Sequence, residues 1–339
     1  MTDIWQKLQE ETRPVYIYGT GNGADKLMER LNGLGIKIKG VFASDGFVRE
    51  RTFRGFKVQS LKAARTADPN LIALLSFGTS RIEVIEQIKK LQKEITLFMP
   101  EVPVIGTTVF DLKFAQKHKN ELEKVYKLLA DEKSKQTFYN MVMFKLTGEL
   151  AFLFECEASE EECFNELLKL KDGNSFLDLG AYNGDTALQF AKRIKKSKIT
   201  ALEPDKKSFK KLMDNTKELD ITYINAALSS EVGVANFSTL GSRGSKMGEG
   251  EKIDTITVDS LDAQFDYINF DVEGAELEGI IGAKETITTT KPKMLISCYH
   301  KSEDYFTIPL KVLEFNPDYK VYMRHFPSIP AWDTVFYFI

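Results

Sequence analysis

The stretch SFLDLGAYNGDTALQFAKR, residues 175–193, puts Asp178 just before Gly180 and Asp185 just after Gly184. Glycines at this spacing let a backbone turn tightly and come close to a ligand. The amphipathic helix that follows would aim its positive N-terminal end at the same place. Any nucleotide could use that much, but the two acids separate the candidates. A pyrophosphate would be repelled by them. S-adenosylmethionine carries a cationic ammonium and a cationic sulfonium, so Asp178 could face the ammonium directly or through water. A hydrogen bond to a charged group is worth about 1.5–3 kcal/mol. The plainer roles are that Asp178 binds loop amides and Asp185 caps its helix.

Further acids and a histidine fall at the ends of the strands that follow. Glu203 closes the next apolar run, where a carboxylate can accept both hydroxyls of a ribose. That use is common to NAD and S-adenosylmethionine enzymes. Asn225 and Ala226 end the third run and are small enough to border an adenine. Asp271 ends the fourth, in YINFDVEGAELEGIIGA, and Glu273 follows it. At the carboxyl edge of a parallel sheet, Asp271 could take a hydroxyl proton, orient substrate or ligate a metal. An Asn/Asp-Pro-Pro-aromatic edge is missing here, which counts against nucleobase substrates. His300 ends the fifth run, and Arg324 and His325 lie near the end of the sixth as weaker candidates for the same rim. Asp271, Glu273 and His300 could share a divalent ion, but their spacing is not diagnostic and no metal is assigned. The catalytic set is therefore Asp271, His300 and Glu273.

These residues need strands to carry them. Runs at SFLDLG, KITALEP, ITYINAA, FDYINFD, KMLISCYH, KVYMRHF and DTVFYFI alternate with helical patterns at 185–194, 206–219, 274–284 and 302–315. That alternation predicts an α/β fold with a parallel sheet. The last two runs have no helix between them and read as a hairpin, so the final strand is antiparallel. VANFSTL to KIDTITV reads as a β insertion. Residues 1–110 show a second alternation: PVYIYG, IKIKGVFAS, LIALLSF and ITLFMP as strands, with helices at 23–34 and at SRIEVIEQIKKLQ. Between the two lies a charged helical connector, residues 111–172, with a long helix at 120–147 that could form a dimer seam and a capping-box pattern at Ser159 and Glu162.

A length of 339 residues fits two domains, since domains run about 100–200 residues each. A net charge of -3 gives no electrostatic footprint for nucleic acid. Cys156, Cys163 and Cys298 are too few and scattered for a disulfide frame or zinc site, which fits reduced thiols in the cytoplasm. The first residues have no apolar signal core, and no window reaches about 18 uninterrupted apolar residues, so no membrane span is expected.

The ordered stretches FLDLGAYNGDT, ALEPDKKSFKKL, NAALSS, TVDSLD, INFDVEGAELEGIIGA and YMRHF…DTVFYFI resemble the FkbM-type methyltransferases over roughly residues 174–339. The resemblance implies a seven-strand class I methyltransferase sheet at 173–339. It also implies S-adenosylmethionine as cofactor and methyl transfer to a hydroxyl of a sugar, glycan precursor or secondary metabolite. The cofactor-contacting set becomes Asp178, Gly180, Ala181, Gly184, Asp185, Thr186, Glu203, Asn225 and Ala226. The family usually has a lysine two residues before the DVEG aspartate. Asn269 stands here, and that lysine's role is open. VYIYGTGNGADKLMERLNGLGIKIKGVFASD with FRGFKVQSL is similar to the small Rossmann-like domain ahead of some sugar-modifying transferases, which implies a nucleotide sugar as ligand. Gly19, Gly21 and Gly23 could admit a phosphate, but no acid closes the second strand before Asp45. The competing expectations are an NAD-dependent oxidoreductase using that loop and a nucleotide-binding module without chemistry.

Overall fold

The computed structural model describes residues 2–44, 46, 48, 51–238, 246–247 and 251–339. Asp45 lies outside them, as do Thr239 and Leu240 of the expected insertion. The chain divides into two compact units, one of residues 1–120, 135–158 and 325–333, the other of 121–134, 159–324 and 334–339.

The first unit is built on a six-stranded sheet. Its strands are β1 (Val15–Tyr18), β2 (Gly40–Ala43), β3 (Thr52–Phe53), β4 (Phe56–Ser60), β5 (Ile72–Leu75) and β6 (Thr96–Phe98), in the order β3-β4-β2-β1-β5-β6. β1, β2 and β5 are buried along their whole length, as parallel strands covered on both faces must be. The helix Asn22–Gly33 lays Ala24, Leu27, Met28 and Leu31 onto that sheet, joining Ile4, Trp5, Ile17 and Val41 in one core. Only the end of IKIKGVFAS pairs as a strand, and FRGFKVQSL supplies the hairpin β3–β4 that the sequence did not announce. Its two-residue turn has positive φ at Arg54 (48°) and Gly55 (84°), the handedness tight hairpins favour.

The second unit carries β7 (Ser175–Leu179), β8 (Lys198–Leu202) and β9 (Ile221–Ile224) on one side of the sheet. β10 (Ala227–Leu228), β11 (Gly233–Ser238), β12 (Lys246–Met247) and β13 (Glu251–Ile256) form a separate four-stranded sheet in the order β10-β13-β11-β12, which is the expected insertion. β14 (Tyr267–Phe270), β15 (Lys293–Ser297), β16 (Val321–His325) and β17 (Thr334–Phe338) complete seven strands in the order β16-β17-β15-β14-β7-β8-β9. β17 runs antiparallel to β15, while β15, β14, β7, β8 and β9 are parallel. The fold class is thus α/β, with the antiparallel final strand that the terminal hairpin predicts.

Two helices differ from expectation. The span 120–147 is broken into Lys119–Leu128 and Glu132–Thr147. At the break, Ala130 N–H donates to Val321 O (2.8 Å), and Asp131 Oδ1 accepts from Ser134 N (2.7 Å) to start the second helix. The span 274–284 splits into Glu276–Ile281 and Lys284–Thr289. Ser159 does cap its helix, accepting from Glu162 N at 3.3 Å, while the Glu162 carboxylate pairs with Lys133 Nζ at 2.6 Å. Among the described residues, no helix is long and apolar enough to cross a membrane.

In the second unit, Phe176, Phe190 and Tyr267 form a three-ring cluster, with centroids 4.4 Å (Phe176–Phe190), 5.1 Å (Phe176–Tyr267) and 6.1 Å (Phe190–Tyr267) apart. Phe176 is fully buried, so Phe176→Ala should cost about 3–5 kcal/mol, read as a fall in the denaturation midpoint of the full chain.

Candidate active site

β7 sits between β14 and β8, and its register places Asp178 opposite Asn269 on β14. Neighbouring residues in register point to the same face of a sheet. Asn269 Nδ2 accordingly donates to Asp178 Oδ1 at 3.0 Å. Asp178 is fully buried, and its Oδ2 has no hydrogen-bond partner among the described residues. Burial pushes its carboxyl up to about 7, against the Asn269 hydrogen bond and helped by the charges of Asp185 and Asp271.

The turn that follows is stapled to its neighbours. Gly180 has φ of 85°, and a Cβ there would lie 1.9 Å from Asp271 O. The amides of Gly180 and Ala181 both donate to Leu202 O, at 3.0 and 2.9 Å. Gly184 has φ of 86° and would place a Cβ 2.5 Å from Thr216 Cγ2. It stands at the N-cap of the helix Asp185–Arg193 without a capping side chain. Asp185 is exposed and is the first residue of the helix, not its N-cap; its Oδ1 accepts from Thr186 N at 2.9 Å.

Glu203 follows β8 directly and is buried. Its two oxygens accept from Tyr182 N (2.8 Å) and Asp205 N (2.7 Å), tying the glycine turn to the end of β8. Burial pushes Glu203 up to about 7; the two amides oppose this, and Asp205 and Asp178 add to it. Each carboxylate oxygen has a second lone pair for a further donor. The Asn225 side chain turns inward, donating to Glu203 O (2.8 Å) and Pro204 O (3.1 Å). Ala226 is buried beside it.

The second cluster lies just beyond β14 and β15. Asp271 follows β14, and its Oδ1 accepts from Tyr299 Oη at 3.1 Å. Glu273 (φ 51°) and Gly274 (φ 92°) turn the chain back into the helix Glu276–Ile281. His300, 1% exposed, points Nε2 at Glu273 Oε2 (3.5 Å) and Asp271 Oδ1 (3.8 Å). Its Nδ1 is 2.9 Å from Glu276 Oε1. Burial works against a charged ring, but Glu276, Glu273 and Asp271 outweigh it and hold His300 well above the usual histidine range. Desolvation, opposed by His300 and aided by Glu276 and Glu273, lifts Asp271 to about 6.

Glu276 was missed by sequence reasoning. It is fully buried, and its Oε1 accepts from Val272 N (3.1 Å) and Gly274 N (3.3 Å). An acid in the first turn after Gly274 is the available signal, and by itself it marks only a helix start. The structure thus brings Asp271, Glu273 and His300 together. Arg324 is engaged elsewhere: its guanidinium bonds Asp131 (2.7 Å) and Ser134 Oγ (2.7 Å). His325 is buried, which pushes its ring down to about 3.

In the first unit, Gly19 has φ of 121°, and a Cβ there would lie 2.6 Å from Ser76 Oγ. A Cβ on Gly23 would lie 2.2 Å from Ser76 O. The turn after β1 at Gly19, and the helix Asn22–Gly33 at Gly23, each pass close to Ser76, which accounts for both glycines, while Gly21 has open space around it.

Residues 178–325 match the family model described as the methyltransferase FkbM domain. Among curated proteins no match was found. Among solved structures, the crystal structure of methyltransferase FkbM from Methylobacillus flagellatus KT is similar at 22% identity, covering 97% of this chain and 90% of that one with a TM-score of 0.74. Precorrin-6y C5,15-methyltransferase from Geobacter metallireducens GS-15 is similar at 17% identity over 50% of this chain and 81% of that one, with a TM-score of 0.33. The first likeness extends the shared fold to nearly the whole chain.

The glycine turn can be tested directly. Gly180→Ala should lose about 1–2 kcal/mol for the left-handed backbone alone, plus the cost of the clash with Asp271 O. Gly173 has φ of 87° and nothing within 4 Å, so Gly173→Ala isolates the backbone cost. Urea unfolding should show Gly180→Ala as the more damaging of the two.

Proposed function

We propose, on the premise that residues 178–325 form an FkbM-type methyltransferase domain, that the chain uses S-adenosylmethionine to methylate a hydroxyl of a sugar, a glycan precursor or a secondary metabolite. The observation that carries this reading is the buried carboxylate of Asp178, with one oxygen bonded to Asn269 and the other without a partner among the described residues. An unpaired buried acid is costly, and a cationic ligand offsets that cost where a phosphate would add to it. When bound, the cofactor supplies an electrophilic methyl group on its sulfonium.

Asp178 would hold the ammonium. The amides at the start of the helix Asp185–Arg193 suit a carboxylate. Glu203 would accept the ribose hydroxyls on its remaining lone pairs, and Ala226 leaves room beside an adenine. Asn225 then serves by fixing the chain around Glu203 and Pro204. Asp271 is the group we assign to the acceptor's hydroxyl proton. It follows the central strand β14, its carboxylate is partly open to solvent, and Tyr299 orients it. His300 and Glu273 set the charge around Asp271. Alignment of the two reactants can contribute up to about 7–11 kcal/mol, so most of the acceleration is expected from placement.

Native mass spectrometry of the purified chain, with and without added S-adenosylmethionine, tests the reading. A mass increment for that cofactor or its demethylated product is expected, and no increment in either sample overturns it.

Two variants separate binding from chemistry. Asp178→Asn removes a charge-assisted contact and should weaken cofactor affinity by about 1.5–3 kcal/mol, roughly 10–150-fold. Asp271→Asn should leave calorimetric affinity for the cofactor near wild type and lower turnover on a panel of hydroxyl acceptors by about 100- to 10,000-fold.

The cofactor's pH dependence follows from Asp178 and Glu203. Both stand near 7 in the folded chain, above the ordinary carboxylate value of about 4. Their contribution to apo stability is full at low pH and is lost as pH rises through about 7. A cationic ligand requires the ionised form of Asp178. The thermal stabilisation given by S-adenosylmethionine should therefore grow between about pH 5.5 and 7.5, and Asp178→Asn should flatten that rise. A pH-independent shift in the wild type would count against the Asp178 contact.

A further inference from the structure

We infer that Asp271, Glu273 and His300 form a binding site for a first-row divalent cation, with Glu276 as the group that orients the histidine. Four features carry this. His300 Nε2 is buried and has no hydrogen-bond partner among the described residues, and it points between two carboxylates. Its separations from Glu273 Oε2 (3.5 Å) and Asp271 Oδ1 (3.8 Å) are too long for hydrogen bonds. Donors bound to one ion at about 2.1 Å lie roughly 3.0–3.4 Å apart, so a few tenths of an ångström of closure would bring Nε2 to that separation from each of the two carboxylates. One ligand atom from each of Asp271, Glu276 and His300 lies within 4.8 Å of the others, which makes Glu276 a third carboxylate within reach of the same ion.

The fourth feature is the far side of the imidazole. Nδ1 faces Glu276 Oε1 at 2.9 Å, and that carboxylate is fixed by the amides of Val272 and Gly274. The pair is not aligned as a hydrogen bond in this structure, but a small turn of the ring would make it one; a carboxylate so placed behind a histidine puts the proton on Nδ1 and leaves the Nε2 lone pair for a metal. One imidazole and two carboxylates suit ions such as Mn2+ or Zn2+. Three protein donors leave positions on a six-coordinate ion for oxygen ligands such as water or an acceptor's hydroxyl. That use of the ion deepens the methyl-transfer reading and rests on it; the binding itself does not.

The test uses the full chain, stripped of metal and titrated with Mn2+ alone, with free Mn2+ followed by electron paramagnetic resonance. One saturable site per chain is expected. Asp271→Asn and Glu273→Gln should each weaken it by at least ~10-fold, and Glu276→Gln by about 10- to 100-fold. Glu273 is partly exposed, so its variant leaves buried packing intact. No saturable site for Mn2+, nor for Zn2+ by competition with a chromophoric chelator, would overturn the inference. So would a saturable site whose affinity is unchanged in Asp271→Asn and Glu273→Gln. Because cofactor and acceptor are left out, a negative result removes the ion alone. Failure to bind S-adenosylmethionine removes the methyl-transfer reading and leaves the ion site standing.

Discussion

Asp178 is a carboxylate taken out of water at the end of a central strand, with a donor, among the described residues, on only one of its oxygens. Much of the surrounding structure follows from keeping it there. The register of β7 against β14 supplies Asn269 as the donor. The residues after it must turn at once and pass against the backbone of Asp271, which Gly180 allows because it has no Cβ. Leu202 O then takes the amides of Gly180 and Ala181, and Glu203 takes the amide of Tyr182. Three adjacent strand ends are thereby tied into one surface. The remaining charge on Asp178 is left for something positive to answer.

The same sheet edge carries a second concentration of charge. Asp271, Glu273, Glu276 and His300 lie a few residues past β14 and β15, where the parallel strands deliver their C-terminal ends side by side. Parallel strands gather such residues because each crossover helix returns the chain to the opposite edge. In both clusters an acid is raised above its ordinary value by loss of water, and in both a neighbouring polar group limits the rise. A chain that spends stability in two places on one edge is organised around what binds there.

Much of this was legible in the sequence, for identifiable reasons. Apolar runs closed by Asp178, Glu203 and Asp271 fix both strand ends and their common edge, since a parallel sheet puts all its strand ends on one side. The antiparallel last strand followed from the missing helix between the final two runs. Features set by distant partners were not legible. The break after Leu128 depends on Ala130 meeting Val321, far along the chain. Glu276 looks like one more charge in GAELEG, and only the closure of the DVEG turn over it makes it a buried acid. The Asn225 amide nitrogen holds the carbonyls of Glu203 and Pro204, partners that its place at the end of an apolar run does not announce. The hairpin at 52–60 rests on two residues of positive φ, one of them an arginine, which no glycine pair announced.

The division of the chain has a practical meaning for anyone wishing to separate the two sheets. Residues 121–134 belong with the second sheet although 135–158 belong with the first, and the tip of the last hairpin, 325–333, is again counted with the first. No single cut yields two whole pieces: severing the polypeptide before Ser175 would leave each fragment short of segments carried by the other. The two units are therefore each discontinuous in sequence, and exchange of one module for another would require trading several stretches together.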